Sequence, residues 1–450
     1  MYPRLSQLAA DLDAGRSTSV ELTEQALARI ADASGEGARV FTSVYAGQAR
    51  AAAQASDTLR AAGLRRSPID GLPVSVKDLF DVAGETTLAG SVVLRGKPVA
   101  AANAAVVQNL LNAGAIVVGK TNMTEFAYSG LGINPHYGTP QNAWQRDVDG
   151  GRIPGGSSSG AAVSVTDGMA FAAVGSDTGG SVRIPSAFNG LTGFKPTAAR
   201  VSRQGVLPLS EYLDSIGPLA ASVECCAIMD AVLSGETYAA PVAHPLRGLR
   251  LLAPTNIVLD GMDDQVAAAW QAALAKLSAA GAVLVHEQVA AFGELAAINA
   301  KGGFTAAEAY AWHRGLIAEN QAGYDQRVVS RMLRGKDMGA ADLLDVIHAR
   351  RRWIAAVEAQ LAGYDALLMP TVPVIAPKIA DLQASDEAYY AANGAILRNP
   401  TLINFLDGCA VSLPCHQPGS APVGLSLAAP GGCDKRLLSI ALAVEGLLAE

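Results

Sequence analysis

Apolar and polar residues follow two interleaved periods along this chain, one helical and one extended. Near the N-terminus, Thr18-Ser19-Val20-Glu21 has the form of a capping box, a hydroxyl at the helix entrance and a carboxylate three residues on. It predicts a helix with Leu22, Ala26 and Ile30 on one face, and the preceding residues read as another helix. At 71–84, "GLPVSVKDLFDVAG" starts a β-branched run at Pro73 that stops at Lys77-Asp78, a buried strand ending in a charge. "AAVVQNLLNAGAIVVGKTNM" at 104–123 reads as helix, glycine stop, apolar strand and Lys120. The same grammar returns twice. Val266, Trp270, Leu274 and Leu277 line a helix before "AVLVHE", and Leu344, Ile347, Ile354, Val357 and Leu361 line another before "YDALLMPT". The repetition predicts an α/β fold, a large mixed central β-sheet covered on both sides by helices. No low-complexity linker or charge block divides the chain, so residues 1–450 read as one domain, against the two or three that their number alone suggests.

One stretch breaks the pattern. "PGGSSSG" (154–160) and "GSDTGGS" (175–181) are knots of glycine and serine separated by "AAVSVTDGMAFAAV", which reads as a buried helix followed by a strand. A flexible linker would be polar throughout, and this stretch is not. Both knots are therefore turns at the ends of core elements, where glycine admits positive φ and lets backbone N–H groups face a ligand.

Composition narrows the classes of function. The chain is 50% hydrophobic and 17% charged, enough for a large core and unlike a disordered chain. A net charge of −7 with no long basic run argues against nucleic acid or an anionic membrane as the main partner. A small neutral substrate fits that balance better. The first thirty residues lack the continuous apolar centre of a secretory signal, no stretch reaches the length of a membrane span, and five cysteines do not make a disulfide framework. These readings place the protein in the cytoplasm.

The glycine knots admit two chemistries. A phosphate cradle is disfavoured, because neither Gly-x-x-x-x-Gly-Lys-Ser/Thr nor a strand-following Gly-x-Gly-x-x-Gly with its acidic partner occurs. A serine nucleophile needs a base. Of six histidines only His136 lies near the motif, and no Gly-x-Ser-x-Gly elbow is present, although a triad assembled from distant residues stays open. A lysine can serve if burial lowers its pKa by up to about 3–5 units. Lys77, at the end of an apolar strand, is such a lysine.

Together, "GLPVSVKD" with Lys77, "PGGSSSG" with Ser157 and "GSDTGGSVRIPSAFNGLTGFKPT" with Ser181 resemble the amidase signature family. The resemblance extends to "GKTNMTEFAYSG", "LPLSEYLDSIGPLA", "LLMPTVPVIAP" and "APVGLSLAAPGG", nearly the whole chain. It implies a core signature over about 71–220 and variable pocket-forming segments at about 288–338 and 379–400. By that resemblance Ser181 is the nucleophile and Ser157, preceded by a cis peptide bond, passes the proton. Lys77 is the neutral base, and the backbone N–H groups of Thr178, Gly179, Gly180 and Ser181 form the oxyanion hole. It implies an amidase that works through an acyl-enzyme on a small-molecule amide and water. It calls for no cofactor, metal, nucleic acid or membrane, and leaves a homodimer open.

Other residues have plainer readings. Ser158 and Ser159 read as turn residues, and Asp177 and Arg183 as a pair bracing the loop. Lys120 and Lys195 read as solvated strand ends, Cys409, Cys415 and Cys433 as core. No histidines show metal-ligand spacing. Phe292, Phe304, Tyr310, Trp312, Tyr389 and Tyr390 are candidates to line an apolar or aromatic pocket. They favour an aryl or hydrophobic amide, as in an aryl acylamidase, or an aryl carbamate, as in a urethanase. Two rivals stay in view: the A-type subunit of an amidotransferase that frees ammonia from glutamine for a partner, and a non-catalytic binding protein on the same fold.

Overall fold

A computed structural model describes residues 2–449. Its strands are β1 (Phe41–Val44), β2 (Pro73–Lys77), β3 (Ile116–Thr121), β4 (Ala172–Asp177), β5 (Thr192–Lys195) and β6 (Ser215–Ala220), then β7 (Arg250–Pro254), β8 (Val283–Glu287), β9 (Ala366–Pro370), β10 (Cys409–Pro414) and β11 (Gly424–Ala429). They form one 11-stranded sheet in the order β1-β3-β2-β4-β6-β5-β10-β11-β9-β7-β8. The sheet is mixed: β2 runs parallel to β3 and β4, and β7 to β8 and β9, while the central strands from β4 to β9 pair antiparallel.

Strand alternation shows that both faces are covered. Val74 and Val76 of β2, Val117 of β3 and Val174 of β4 join one apolar cluster. Their neighbours point the other way: Ile116 and Val118 join a second cluster, and Ala173 a third. Such strands read as continuous apolar runs because neither face meets water. The far edge differs, since β8 is half-buried or exposed along its length.

The helices begin where the sequence predicts. Thr18 caps the helix Ser19–Ala31, its side chain accepting from the Glu21 N–H while the Glu21 carboxylate accepts from the Thr18 N–H. The helices Asp264–Ala279 and Ala340–Leu361 precede β8 and β9 as the repeated pattern requires. No described helix is long and apolar enough to cross a membrane.

β2 and β4 lie side by side and parallel, so their carboxyl ends open at the same edge. In parallel sheets that edge is where ligands bind. The two glycine knots meet there: the first leads into the helix Ser159–Thr166, and the second joins β4 to the helix Arg183–Asn189.

Candidate active site

Lys77 is the last residue of β2, and its alternation with Val76 turns it to the side of Ser75, which bonds Ser164 of the helix Ser159–Thr166 at 2.9 Å. The amine is fully buried. It donates to Ser157 Oγ at 2.8 Å and to Ser176 Oγ at 2.9 Å. Burial draws its pKa down from 10.5 to about 7, while the charges of Asp177 and Asp214 pull the other way. Near neutral pH this lysine therefore exchanges a proton readily.

Ser157 follows a cis peptide bond to Gly156. A side chain at Gly156 would put its Cβ 2.5 Å from the Gly132 nitrogen, so only glycine lets the two loops touch. The first knot also meets the second, where the Ser158 N–H donates to the Ser181 carbonyl at 3.3 Å. The Ser181 hydroxyl makes no hydrogen bond among the described residues and lines a cavity of about 180 Å³.

The loop carrying Ser181 is held by a buried carboxylate. Asp177 accepts from the Gly180 N–H at 2.8 Å, the Val182 N–H at 3.1 Å, both arms of the Arg183 fork and the Asn404 amide. Burial pushes the Asp177 carboxyl up, but the Arg183 guanidinium beside it prevails and holds it below the usual carboxylate range. Gly180 has φ +120 and its missing Cβ would lie 2.5 Å from the Pro400 side chain. The Gly180 N–H, expected at the oxyanion hole, is thus spent on Asp177. The backbone N–H groups of Thr178, Gly179 and Ser181 have no acceptor among the described residues.

A second cavity, of about 460 Å³, adjoins the first and shares Ala127, Thr178 and Leu209 with it. Ser176, Asp214, Arg203 and Trp312 line it. Asp214 accepts from the Thr178 hydroxyl and from the N–H groups of Leu209 and Ser210, tying the wall between the cavities to the Ser181 loop.

The structure brings Lys77 and Ser157 into contact and ties the Ser181 backbone to Ser158, and Asp177 pairs with Arg183 as expected. Two expectations need correction. Lys120 is no solvated strand end but is buried 3.3 Å from Asp78. Lys195 is buried too, its amine donating to the Pro196 and Gly408 carbonyls. Of the six pocket aromatics, Phe304 lines the Ser181 cavity and Trp312 the adjoining one. Phe292 and Tyr389 are core, Tyr310 packs half-buried against the core, and Tyr390 is exposed. Cys409 is buried, with Cys415 and Cys433 only partly so. His136 pairs with the buried Glu125 rather than with a serine. Sequence reasoning missed Ser176, although it sits inside the second knot beside Asp177. It also missed Asp214, Asn404 and Arg331, which carry no local signal.

This chain belongs to the amidase family, whose sequence profile matches residues 21–438. It is 38% identical over 406 residues to the 2-amino-5-chloromuconic acid deaminase of Comamonas testosteroni, covering 90% of this chain and 87% of that protein. It is 34% identical to the A-type subunit of the glutamyl-tRNA(Gln) amidotransferase of Anaeromyxobacter sp. (strain K), over 98% of this chain and 95% of that one. A crystal structure of an amidase superposes with a TM-score of 0.87 at 31% identity, covering 99% of both chains.

Proposed function

We propose that this amidase hydrolyses the carbon–nitrogen bond of a small amide through Ser181, Ser157 and Lys77. The observation that carries the reading is the buried Lys77–Ser157 hydrogen bond, set against Ser181, which lines a cavity and whose hydroxyl has no hydrogen-bond partner among the described residues. Neutral Lys77 takes the Ser157 proton while Ser157 takes that of Ser181, and Ser181 Oγ attacks the carbonyl carbon. The oxyanion that forms is met by the N–H groups of Thr178, Gly179 and Ser181. The Gly180 N–H keeps the loop in shape through Asp177. The proton on Lys77 then returns through Ser157 to the leaving nitrogen, the carbon–nitrogen bond breaks, and ammonia or an amine departs. Water, deprotonated by the same relay, attacks the acyl ester. The carbon–oxygen bond to Ser181 breaks, Ser181 regains its proton, and a carboxylic acid leaves.

Leu209, Leu213, Phe304 and Phe405 give the cavity an apolar wall, which supports an acyl group with an aliphatic, unsaturated or aryl body. Aryl carbamates belong to the same class of reaction. The purified chain is to be assayed alone against aliphatic amides, anilides, an aryl carbamate and glutamine, with Ser181→Ala alongside. Turnover that vanishes in the variant supports the reading, and retained turnover overturns it. A second reading has an observation behind it, the full-length similarity to the A-type component of an amidotransferase. It takes the lead if glutamine alone is hydrolysed, or if nothing is until a partner is supplied.

A further inference from the structure

We infer that Asp214 is a positioning residue for the reaction, a buried anion that fixes the Thr178 peptide for the oxyanion and strengthens Lys77 as the base. The inference rests on the Ser181, Ser157 and Lys77 reading above and adds a group outside that relay.

Strand register brings Asp214 to the site. β4 and β6 pair antiparallel, with Asp177 opposite Ser215. One residue further on, Thr178 leaves β4 across from Asp214, which leads into β6. The Thr178 hydroxyl donates to one carboxylate oxygen of Asp214. The N–H groups of Leu209 and Ser210 donate to the other, at 2.9 and 3.1 Å. Three donors aimed at two oxygens are the setting of an ionised carboxylate. Thr178 is thereby held by its side chain, while its N–H is left without an acceptor among the described residues. A donor fixed in advance where negative charge develops is what an oxyanion requires.

The charge of Asp214 is equally unusual. Asp177 is matched by Arg183, Asp78 by Lys120 and Asp70 by Arg66. The Asp214 carboxylate has no such cation among the described residues, and the nearby Arg203 donates to its backbone carbonyl instead. Four elements place charged or titratable groups around it. Lys77 comes from β2, and Asp177 with Arg183 from the Ser181 loop. Arg203 and the exposed Glu211 share its own loop, and Glu308 comes from the helix Gly303–Asn320, accepting from the Ser210 hydroxyl and the Glu211 N–H. The charges of Asp177 and Asp214 both raise the affinity of Lys77 for a proton, against burial, but only Asp177 has a guanidinium to offset it. An unmatched anion beside a buried amine keeps that amine basic enough to take a proton from a serine. Burial raises the Glu308 carboxyl to about 7, the same range as Lys77, so the test has to separate the two.

Methanesulfonyl fluoride, small enough for the cavity of about 180 Å³, probes both roles without a substrate. Ser181 Oγ bonds to sulfur, the sulfur–fluorine bond breaks, fluoride leaves, and the Ser181 proton passes through Ser157 to Lys77. Mass spectrometry reads the sulfonyl ester on Ser181. The labelling rate should rise with pH to a plateau, with its midpoint near the Lys77 value of about 7. Asp214→Asn removes the anion and should move that midpoint about one unit lower. Glu308→Gln should leave it in place. Thr178→Val removes the hydroxyl and keeps the shape, and should lower the plateau about 10-fold, part of the loss of an oxyanion donor, without moving the midpoint. Thr178→Ser should restore most of it. An unmoved midpoint in folded Asp214→Asn, an equal move in Glu308→Gln, or an unchanged plateau in Thr178→Val overturns the inference and leaves the relay standing. The Thr178 variants decide it if Asp214→Asn does not fold. Labelling that misses Ser181, or persists in Ser181→Ala, overturns the relay itself.

Discussion

Lys77 Nζ lies 2.8 Å from Ser157 Oγ, and neither side chain reaches solvent. A proton leaving Ser157 therefore has the amine as its direct acceptor, and burial draws the pKa of that amine down to about 7, where its neutral form becomes accessible.

This sets the pH dependence. The working form of Lys77 is the free amine, which dominates above its pKa of about 7 and is lost below it. The value of kcat/KM should fall roughly tenfold per pH unit below that point. A profile that stays flat to pH 5 contradicts a lysine base.

Ser176 holds the same amine from a second side, at 2.9 Å. Its hydroxyl oxygen stabilises the ammonium, so Ser176→Ala should lower the lysine pKa further and move the acid limb of the profile to lower pH. The value of kcat should drop about tenfold, in line with one lost hydrogen bond. If Ser176 merely packs, the rate can change but the limb will not move.

Gly180 has a backbone that other residues rarely adopt and no room for a Cβ beside Pro400 and Ile184. Gly180→Ala should shift the loop that carries Ser181 and lower kcat by about 10²-fold or more, the size of a lost oxyanion donor. Near-normal kcat in a folded Gly180→Ala protein contradicts the assigned loop geometry.

Arg183 and Asp177 are both fully buried and their side chains are joined by two hydrogen bonds. Arg183→Met leaves the Asp177 charge without its main partner and should destabilise the fold by about 3–5 kcal/mol in urea titration. A loss below about 1 kcal/mol would mean that Asn404 and the backbone donors suffice.

The strand ends and glycine turns were legible because their signals are local. A β-branched run halted by Lys77, and glycines flanking Ser157 and Ser181, announce a sheet edge built for ligands before any packing is known. Lys120 and Lys195 show where local signals fail. A lysine ending a strand looks the same whether it meets water or a partner, and what buries these two comes from elsewhere, Asp78 for one and the Gly408 carbonyl for the other. Phe304 and Phe292 are equally aromatic in sequence, yet one faces the cavity and the other packs beside Trp353 in the core. Arg331 was invisible for the same reason. Its neighbours Tyr128, Ser181 and Leu397 come from distant parts of the chain, and only the fold gathers them round one cavity.

The most direct test of the relay is acid-quenched mass spectrometry of the enzyme mixed with an amide or anilide that it turns over. The account predicts an acyl adduct on the peptide carrying Ser181, absent from Ser181→Ala and slower to form in Lys77→Ala. An adduct on Ser157, or full turnover by Ser181→Ala, would contradict it.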